Sequence, residues 1–225
     1  MSQSKDFNTR IENRLPVARE GLPFIFTGAA VTIIMFSLGL SILGIILGLM
    51  TLFTLWFFRD PDRSGSAASD AVLSPADGTI VHIGRIEDGG NYGINGPALK
   101  ISIFMSIFNV HVNRIPVKGR ISGIKYNPGR FFSANLDKAS EQNENNRVTL
   151  ETWNGHRVTF VQIAGLIARR IACWVKESDP VDAGQRFGII RFGSRVDIYL
   201  PDGSRIGVKL KERVKAGQTV MGYLP

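Results

Sequence analysis

The sequence predicts a mostly β protein preceded by a hydrophobic helical hairpin, and two patterns lead to this prediction. The first is a stretch of 38 residues, 21–58, without a single ionisable side chain. The second is a series of short β-branched and apolar runs from residue 71 onward, separated at close spacing by Gly, Pro, Asn and Asp. Short apolar runs between turn residues are typical of strands, whereas helices need longer periodic segments.

The apolar stretch is too long for one straight pass through a membrane. A helix of this length would measure about 57 Å, against a bilayer hydrocarbon core of about 30 Å. We therefore expect it to fold back near Gly39 and Ser41, either as two short spans or as a re-entrant hairpin. A cleaved signal peptide is disfavoured, because its apolar core would be much shorter. Basic residues flank the stretch at Arg19 and Arg59, which predicts that both ends face the cytoplasmic side of the inner membrane.

The rest of the chain reads as one β domain. Residues 1–63 form the predicted membrane-associated segment, a small-residue linker follows at 64–69, and the β domain occupies 71–225. Within it, a helix is expected only at 164–176, and Asp202-Gly203 predicts a hairpin turn. The predicted strands are 79–83, 99–107, 110–115, 147–152, 158–163, 196–200 and 206–210.

Charge and cysteine content narrow the classes of partner. The chain of 225 residues has a formal charge of +8, of which +7 lies in residues 64–225. Such an excess favours an anionic partner, and with no run of like charges and a membrane segment present, it indicates a lipid surface rather than nucleic acid. Cys173 is the only cysteine, so an intramolecular disulfide is impossible; its apolar neighbours predict a core position.

A short internal sequence repeat helps to predict the fold. Val181-Asp182-Ala183-Gly184-Gln185 recurs 33 residues later as Val214-Lys215-Ala216-Gly217-Gln218. The pattern resembles the turn–strand units of biotinyl and lipoyl carrier domains and of related barrel and sandwich hybrids. A carrier domain needs an exposed lysine at a hairpin tip, and no Met-Lys-Met tip is present. A membrane-anchored, non-enzymatic module of this kind stays open as an alternative.

Three polar residues in apolar strand contexts have the types required for a catalytic relay. Asp77 could orient His111, which could in turn deprotonate the hydroxyl of Ser194. Each also has a structural explanation: Asp77 precedes a glycine in a turn, His111 lies on an alternating strand, and Gly193-Ser194 could form a bulge. No His, Cys and Glu cluster has metal-ligand spacing, so no metal is expected.

Four strings, in this order behind a hydrophobic leader, resemble the short, prokaryotic form of the pyruvoyl-dependent phosphatidylserine decarboxylases. They are Phe57-Phe58-Arg59-Asp60-Pro61, Ser74-Pro75-Ala76-Asp77-Gly78, Phe108-Asn109-Val110-His111-Val112-Asn113-Arg114 and Arg191-Phe192-Gly193-Ser194-Arg195-Val196-Asp197.

The resemblance implies self-cleavage between Gly193 and Ser194, giving a β chain of 1–193 and an α chain of 194–225. Ser194 would become a covalent pyruvoyl group, which forms a Schiff base with phosphatidylserine and releases CO₂ to leave phosphatidylethanolamine. His111 and Asp77 would assist. The two fragments would stay together as a heterodimer, with a higher homo-oligomer left open. A decarboxylase of another serine-headgroup lipid, such as an archaetidylserine type, would carry the same strings.

Two further points concern the substrate site. Longer family members have a second histidine where this chain has Phe108, which leaves His111 or a water for both proton transfers. Arg114, Arg191 and Arg195 lie nearest to the strings in sequence and are the candidate ligands for the phosphate or carboxylate of the lipid.

Overall fold

The computed structural model describes residues 15–63, 68, 70–129, 143–165, 170–191 and 194–225. The chain forms two compact units, one helical, up to Asp62, and the other running from Arg63 to Pro225. Residues 64–67 and 69 of the predicted linker lie outside the described residues, as does Gly193.

The helical unit contains two antiparallel apolar helices, α1 (Leu22–Ser37) and α2 (Ser41–Phe57). The chain turns between them at Gly39, whose φ of 75° is readily accessible to glycine. Gly28 lies against Thr51 and Gly44 against Phe36, so small side chains let the helices approach closely. One segment, Arg19–Ser37, is long and apolar enough to cross a membrane, and the second helix is shorter. The predicted helical hairpin is confirmed.

The second unit is built of short strands, as the sequence predicted. In the described residues these are β1 (Ala71–Leu73), β2 (Gly78–Ile86), β3 (Ala98–Met105), β4 (Val112–Arg114), β5 (Gly119–Asn127), β6 (Asn145–Glu151), β7 (Arg157–Ala164), β8 (Ile171–Cys173), β9 (Pro180–Val181), β10 (Arg186–Ile190), β11 (Ser194–Pro201), β12 (Arg205–Ile206), β13 (Arg213–Val214) and β14 (Val220–Tyr223).

These strands form one large curled sheet and two small ones. The large sheet has the order β13-β2-β3-β11-β7-β6-β5-β9, and all its pairs are antiparallel. The small sheets have the orders β1-β14-β12 and β4-β10-β8. The main core lies against one face of the large sheet, with Ile103, Val196 and Ile198 fully buried. The mostly β prediction is therefore confirmed.

The internal sequence repeat corresponds to a repeated structural unit. Its two copies begin at the edge strands β9 and β13, and the valine of each pairs with the glycine that opens β5 or β2. A turn follows in each copy, with Gly184 at φ 80° and Gly217 at φ 69°. A Cβ built on Gly217 would lie 3.3 Å from the Cα of Gly184. The two edges of the large sheet thus meet at these turns, which explains its curl.

Two local predictions are wrong. The helix expected at 164–176 does not form in the described part of this range, because β8 (Ile171–Cys173) lies there and pairs with β10. Asp202-Gly203 does form a turn, with Gly203 at φ 88°, but the strands that it joins do not pair with each other. The strand after the turn pairs with β14 and ends at Ile206, because the chain leaves the large sheet at Pro201.

Candidate functional site

The three candidate catalytic residues lie at the same end of three neighbouring strands. Asp77 directly precedes β2, His111 lies in the loop after β3, and Ser194 is the first residue of β11. Because β2, β3 and β11 are adjacent and antiparallel, the start of β2, the end of β3 and the start of β11 lie side by side at the same end of these strands. The topology therefore gathers residues that are far apart in the sequence.

Ser194 is fully buried in the middle of the large sheet. It is paired with Met105 of β3 on one side and with Ala164 of β7 on the other. Its Oγ donates to the sulfur of Met105 at 3.4 Å. A thioether is a weak acceptor, so the hydroxyl is located without being strongly held. Gly193, the other half of the predicted cleavage site, lies outside the described residues.

His111 is fully buried, and a short loop fixes its ring. Its Nδ1 lies 2.9 Å from the carbonyl oxygen of Asn109, and the side chain of Asn109 accepts hydrogen bonds from the backbone N–H and Oγ of Ser106. A carbonyl can only accept, so in the neutral ring Nδ1 carries the proton and Nε2 has the lone pair. The carbonyl of His111 accepts from the N–H of Ile190 at 3.4 Å, at the end of the strand that leads to Ser194.

Asp77 is held by a partner that the sequence analysis did not assign to the site. The guanidinium of Arg63 donates to both of its carboxylate oxygens, at 2.5 and 2.9 Å, and the N–H of Ala216 donates at 2.8 Å. Arg63 also donates to the carbonyl of Ala216 at 2.7 Å. The side chains of Arg63 and Asp77 are only 7% and 11% exposed. The observed orienting contact of His111 comes from Asn109, and an orienting role for Asp77 stays a prediction.

A chain of buried amides leads to Ser194 from within the sheet. Asn146 donates to Gln162 at 3.0 Å, Gln162 donates to Asn113 at 2.9 Å, and the Nδ2 of Asn113 points to the sulfur of Met105 at 3.7 Å. Gln162 and Asn113 each accept through the oxygen and donate through the nitrogen, so the direction of the chain fixes the orientation of both amides. Asn113 belongs to one of the four strings quoted above, but nothing in the sequence indicated that its side chain contacts Gln162.

A cavity of about 540 Å³ lies at this end of the strands. Its lining includes Asp77, Thr79, Phe108, Asn109, Arg213 and Lys215. Phe108 is 63% exposed, so the residue that replaces a second histidine stands at the rim. The cavity is therefore bordered by the carboxylate of Asp77 and by the loop that holds His111.

The three arginines proposed as substrate ligands have different surroundings. Arg114 is buried and donates to the carbonyl of Gly184 at 2.9 Å. Arg195 is buried with Asp197, at 2.5 and 3.1 Å, and alternation along β11 puts its side chain on the opposite face of the sheet from that of Ser194. Arg191 is half-buried beside the residues outside the description. Contact of these three with a substrate stays untested, and Arg195 has a structural partner instead.

Burial makes the thiol of Cys173 a poor nucleophile. Burial raises the pKa of the Cys173 thiol, which lowers its thiolate fraction and its nucleophilicity. In the part of the chain that the structure describes, no group of three His, Cys, Asp or Glu side chains could hold a metal ion.

Comparison with known proteins identifies the family. The family model of phosphatidylserine decarboxylase matches residues 50–222. The phosphatidylserine decarboxylase proenzyme of Syntrophus aciditrophicus is 48% identical over 207 residues, covering 92% of this chain and 96% of the relative. Proenzymes of the same name from Desulfotalea psychrophila and Burkholderia mallei are 47% and 48% identical, covering 95% and 93% of this chain and 99% and 95% of the relatives. The chain belongs to the phosphatidylserine decarboxylase family.

Proposed function

We propose that this chain is a self-processing enzyme that converts phosphatidylserine to phosphatidylethanolamine and CO₂ with a pyruvoyl group made from Ser194. The observation that carries the proposal is that a fully buried Ser194 lies at the same end of neighbouring strands as His111 and Asp77. The names of the relatives, which include the word proenzyme, support both the substrate and the processing.

Maturation would use the hydroxyl of Ser194 as an internal nucleophile. Its Oγ attacks the carbonyl carbon of Gly193, the Gly193–Ser194 amide bond breaks, and an ester forms while the serine nitrogen becomes an amine. Removal of the Ser194 Cα proton then expels the Gly193 carboxylate and leaves a dehydroalanine. Water hydrolyses this residue to the pyruvoyl group and ammonia. With its lone pair on Nε2, His111 can take a proton in these steps.

The residues around Ser194 fit such a group. β11 is hydrogen-bonded on both sides, to β3 and to β7, so the new chain terminus would stay in its place after the cut. β13 and β14, also in the smaller fragment, pair with β2 and β1 of the larger one. These ladders account for a stable complex of the two fragments. When present, the pyruvoyl group supplies a ketone that reacts with the substrate amine and an acceptor for the electron pair released with CO₂.

The chain's own residues would then manage binding and protonation. His111 is the candidate donor of the proton that replaces CO₂, since the ring is fixed by Asn109. Phe108 cannot transfer a proton, which leaves His111 or a water for this step. Asp77 is proposed as the carboxylate that orients the imidazole of His111.

The proposal places the enzyme at the cytoplasmic face of the inner membrane. Residues 1–63 would anchor the chain, and the β domain of 71–225 would work at the headgroup plane. The apolar pair of helices and the basic residues that flank it, Arg19 and Arg59, support this arrangement.

The test is release of CO₂ from phosphatidylserine in detergent micelles by purified full-length protein. His111→Ala should lose activity and process slowly, whereas His82→Ala, a change at a half-buried histidine on β2, should keep both. Asp77→Asn should slow processing. Borohydride added with the lipid should trap an adduct on the 194–225 fragment. An active, unprocessed wild-type protein, or equal activity of both histidine variants, would refute the proposal.

A further inference from the structure

We infer that Arg213 and Lys215 at the cavity rim bind the phosphodiester of the lipid headgroup, which makes this cavity the headgroup pocket. The inference rests on the proposed function, and it names side chains that the sequence analysis did not select. The starting point is the cavity of about 540 Å³ beside Asp77, which is lined by these two cations and by the exposed Phe108.

The backbone places both cations at the site. Arg213 is paired with Thr79, the second residue of β2, and Lys215 precedes the residue whose N–H binds the carboxylate of Asp77 at 2.8 Å. Both side chains belong to an exposed basic strip in which every second residue is cationic, Lys209, Lys211, Arg213 and Lys215. Arg213 lies on the two-residue edge strand β13 and Lys215 follows it, so the strip ends at the cavity.

The charges of Arg213 and Lys215 are available to a ligand. Elsewhere in the β unit many cations have acidic partners, including Arg63 with Asp77, Lys100 with Asp197 and Lys118 with Asp182. Among the described residues, no acidic side chain lies within ion-pair distance of Arg213 or Lys215. Asp77 shares their cavity, but both of its oxygens already accept from Arg63. The rim thus offers two positive charges to an incoming anion.

The chemistry of the reaction decides which anion they bind. A phosphatidylserine headgroup carries a phosphodiester and a carboxylate, and the carboxylate must leave as neutral CO₂. A cation paired with that carboxylate would stabilise the ground state more than the transition state and would slow the reaction. The phosphodiester keeps its charge from substrate to product, so binding it costs nothing in the chemical step. We therefore assign the two cations to the phosphate oxygens.

Phe108 completes the rim on the apolar side. Phe108 is 63% exposed and lines the cavity together with the two cations, and the preceding Ile107 is 37% exposed. An exposed aromatic beside basic residues suits the boundary between headgroups and acyl chains. The lipid would enter with its phosphate at the basic strip and its glycerol end at this loop.

The experiment compares Arg213→Met and Lys215→Met with Lys125→Met, a change at an exposed lysine on β5. Self-cleavage on a gel confirms that each variant folds and matures. Loss of a charge-assisted contact should raise KM for short-chain phosphatidylserine about tenfold at either rim residue. Because the contact is equal in the ground and transition states, kcat should stay near its wild-type value. Lys215→Arg should restore most of the affinity.

A binding measurement separates phosphate from carboxylate recognition. Short-chain phosphatidylethanolamine keeps the phosphodiester and lacks the carboxylate, so its dissociation constant by calorimetry should rise by the same factor as KM. If KM rises and this dissociation constant does not, the assignment to the phosphate is wrong. If neither changes relative to Lys125→Met in an active enzyme, the pocket assignment fails and the decarboxylase proposal stands. A processed wild-type protein without turnover would instead overturn the proposed function, and this inference with it.

Discussion

Replacing Arg63 by Met should destabilise the β unit severely, although Arg63 follows directly on the helical unit. The side chain is 7% exposed and makes three hydrogen bonds, two to Asp77 and one to the carbonyl of Ala216. Without it, a nearly buried carboxylate keeps only the N–H of Ala216. Breaking a buried ion pair from one side typically costs about 3–5 kcal/mol.

Urea unfolding of the full-length protein in detergent, followed by the β signal in circular dichroism, measures this cost. Arg85→Met is the matched control, because Arg85 and Asp202 form an ion pair whose side chains are 51% and 46% exposed. Such surface pairs contribute about 0–1 kcal/mol. The double variant Arg63→Met with Asp77→Asn should lose less than the two single losses combined, since the second change removes the stranded charge. An Arg63→Met protein as stable as Arg85→Met would refute the reasoning.

Three other changes test the packing around the site. Gly188→Ala should lower the free energy of unfolding in urea by about 1–3 kcal/mol, because a Cβ there would overlap the carbonyl oxygen of Ala172 and lie 2.9 Å from Gln162. Gly123→Ala is the control and should be nearly neutral, because a Cβ there meets nothing within 4 Å. Equal losses of stability in the two variants would contradict the packing. Gln162→Leu should lower the free energy of unfolding by about 2 kcal/mol or more, because it removes the hydrogen-bond partner of Asn146 and of Asn113. An unchanged urea midpoint would show that the amide chain is dispensable. Burial raises the pKa of the Cys173 thiol, so iodoacetamide at pH 8 should modify the native protein far more slowly than the urea-unfolded protein. The rate for the native protein should rise as the pH rises. Equal rates for the native and unfolded proteins would refute the burial.

Much of the fold was predictable because local patterns coincide with its strands. The runs at 79–83 and 158–163 lie within β2 and β7, and Gly39 marks the turn between the helices. The errors arise where tertiary pairing decides. The segment 171–173 is a strand only because β10 lies beside it, and Asp202-Gly203 turns the chain into a different sheet rather than into a hairpin.

The candidate site was predictable in its residue types and only partly in its contacts. Asp77, His111 and Ser194 could be selected because polar residues stood out in apolar strands. The ion pair of Asp77 with Arg63 could not be predicted, since Arg63 is the last residue of the predicted membrane-associated segment, 1–63. Arg213 and Lys215 lie in an ordinary basic strip of the sequence. Only the pairing of Arg213 with Thr79 and the fold of the second copy of the internal repeat bring them to the cavity.

The intact mass of the freshly purified, active full-length chain tests the central claim most directly. We predict two fragments, residues 1–193 and 194–225, with the smaller one lighter by one ammonia than a peptide that begins with serine and blocked to N-terminal sequencing. Ser194→Ala should give one uncut and inactive chain. A single full-length mass for the active wild-type protein, with Ser194 unmodified, would contradict the claim.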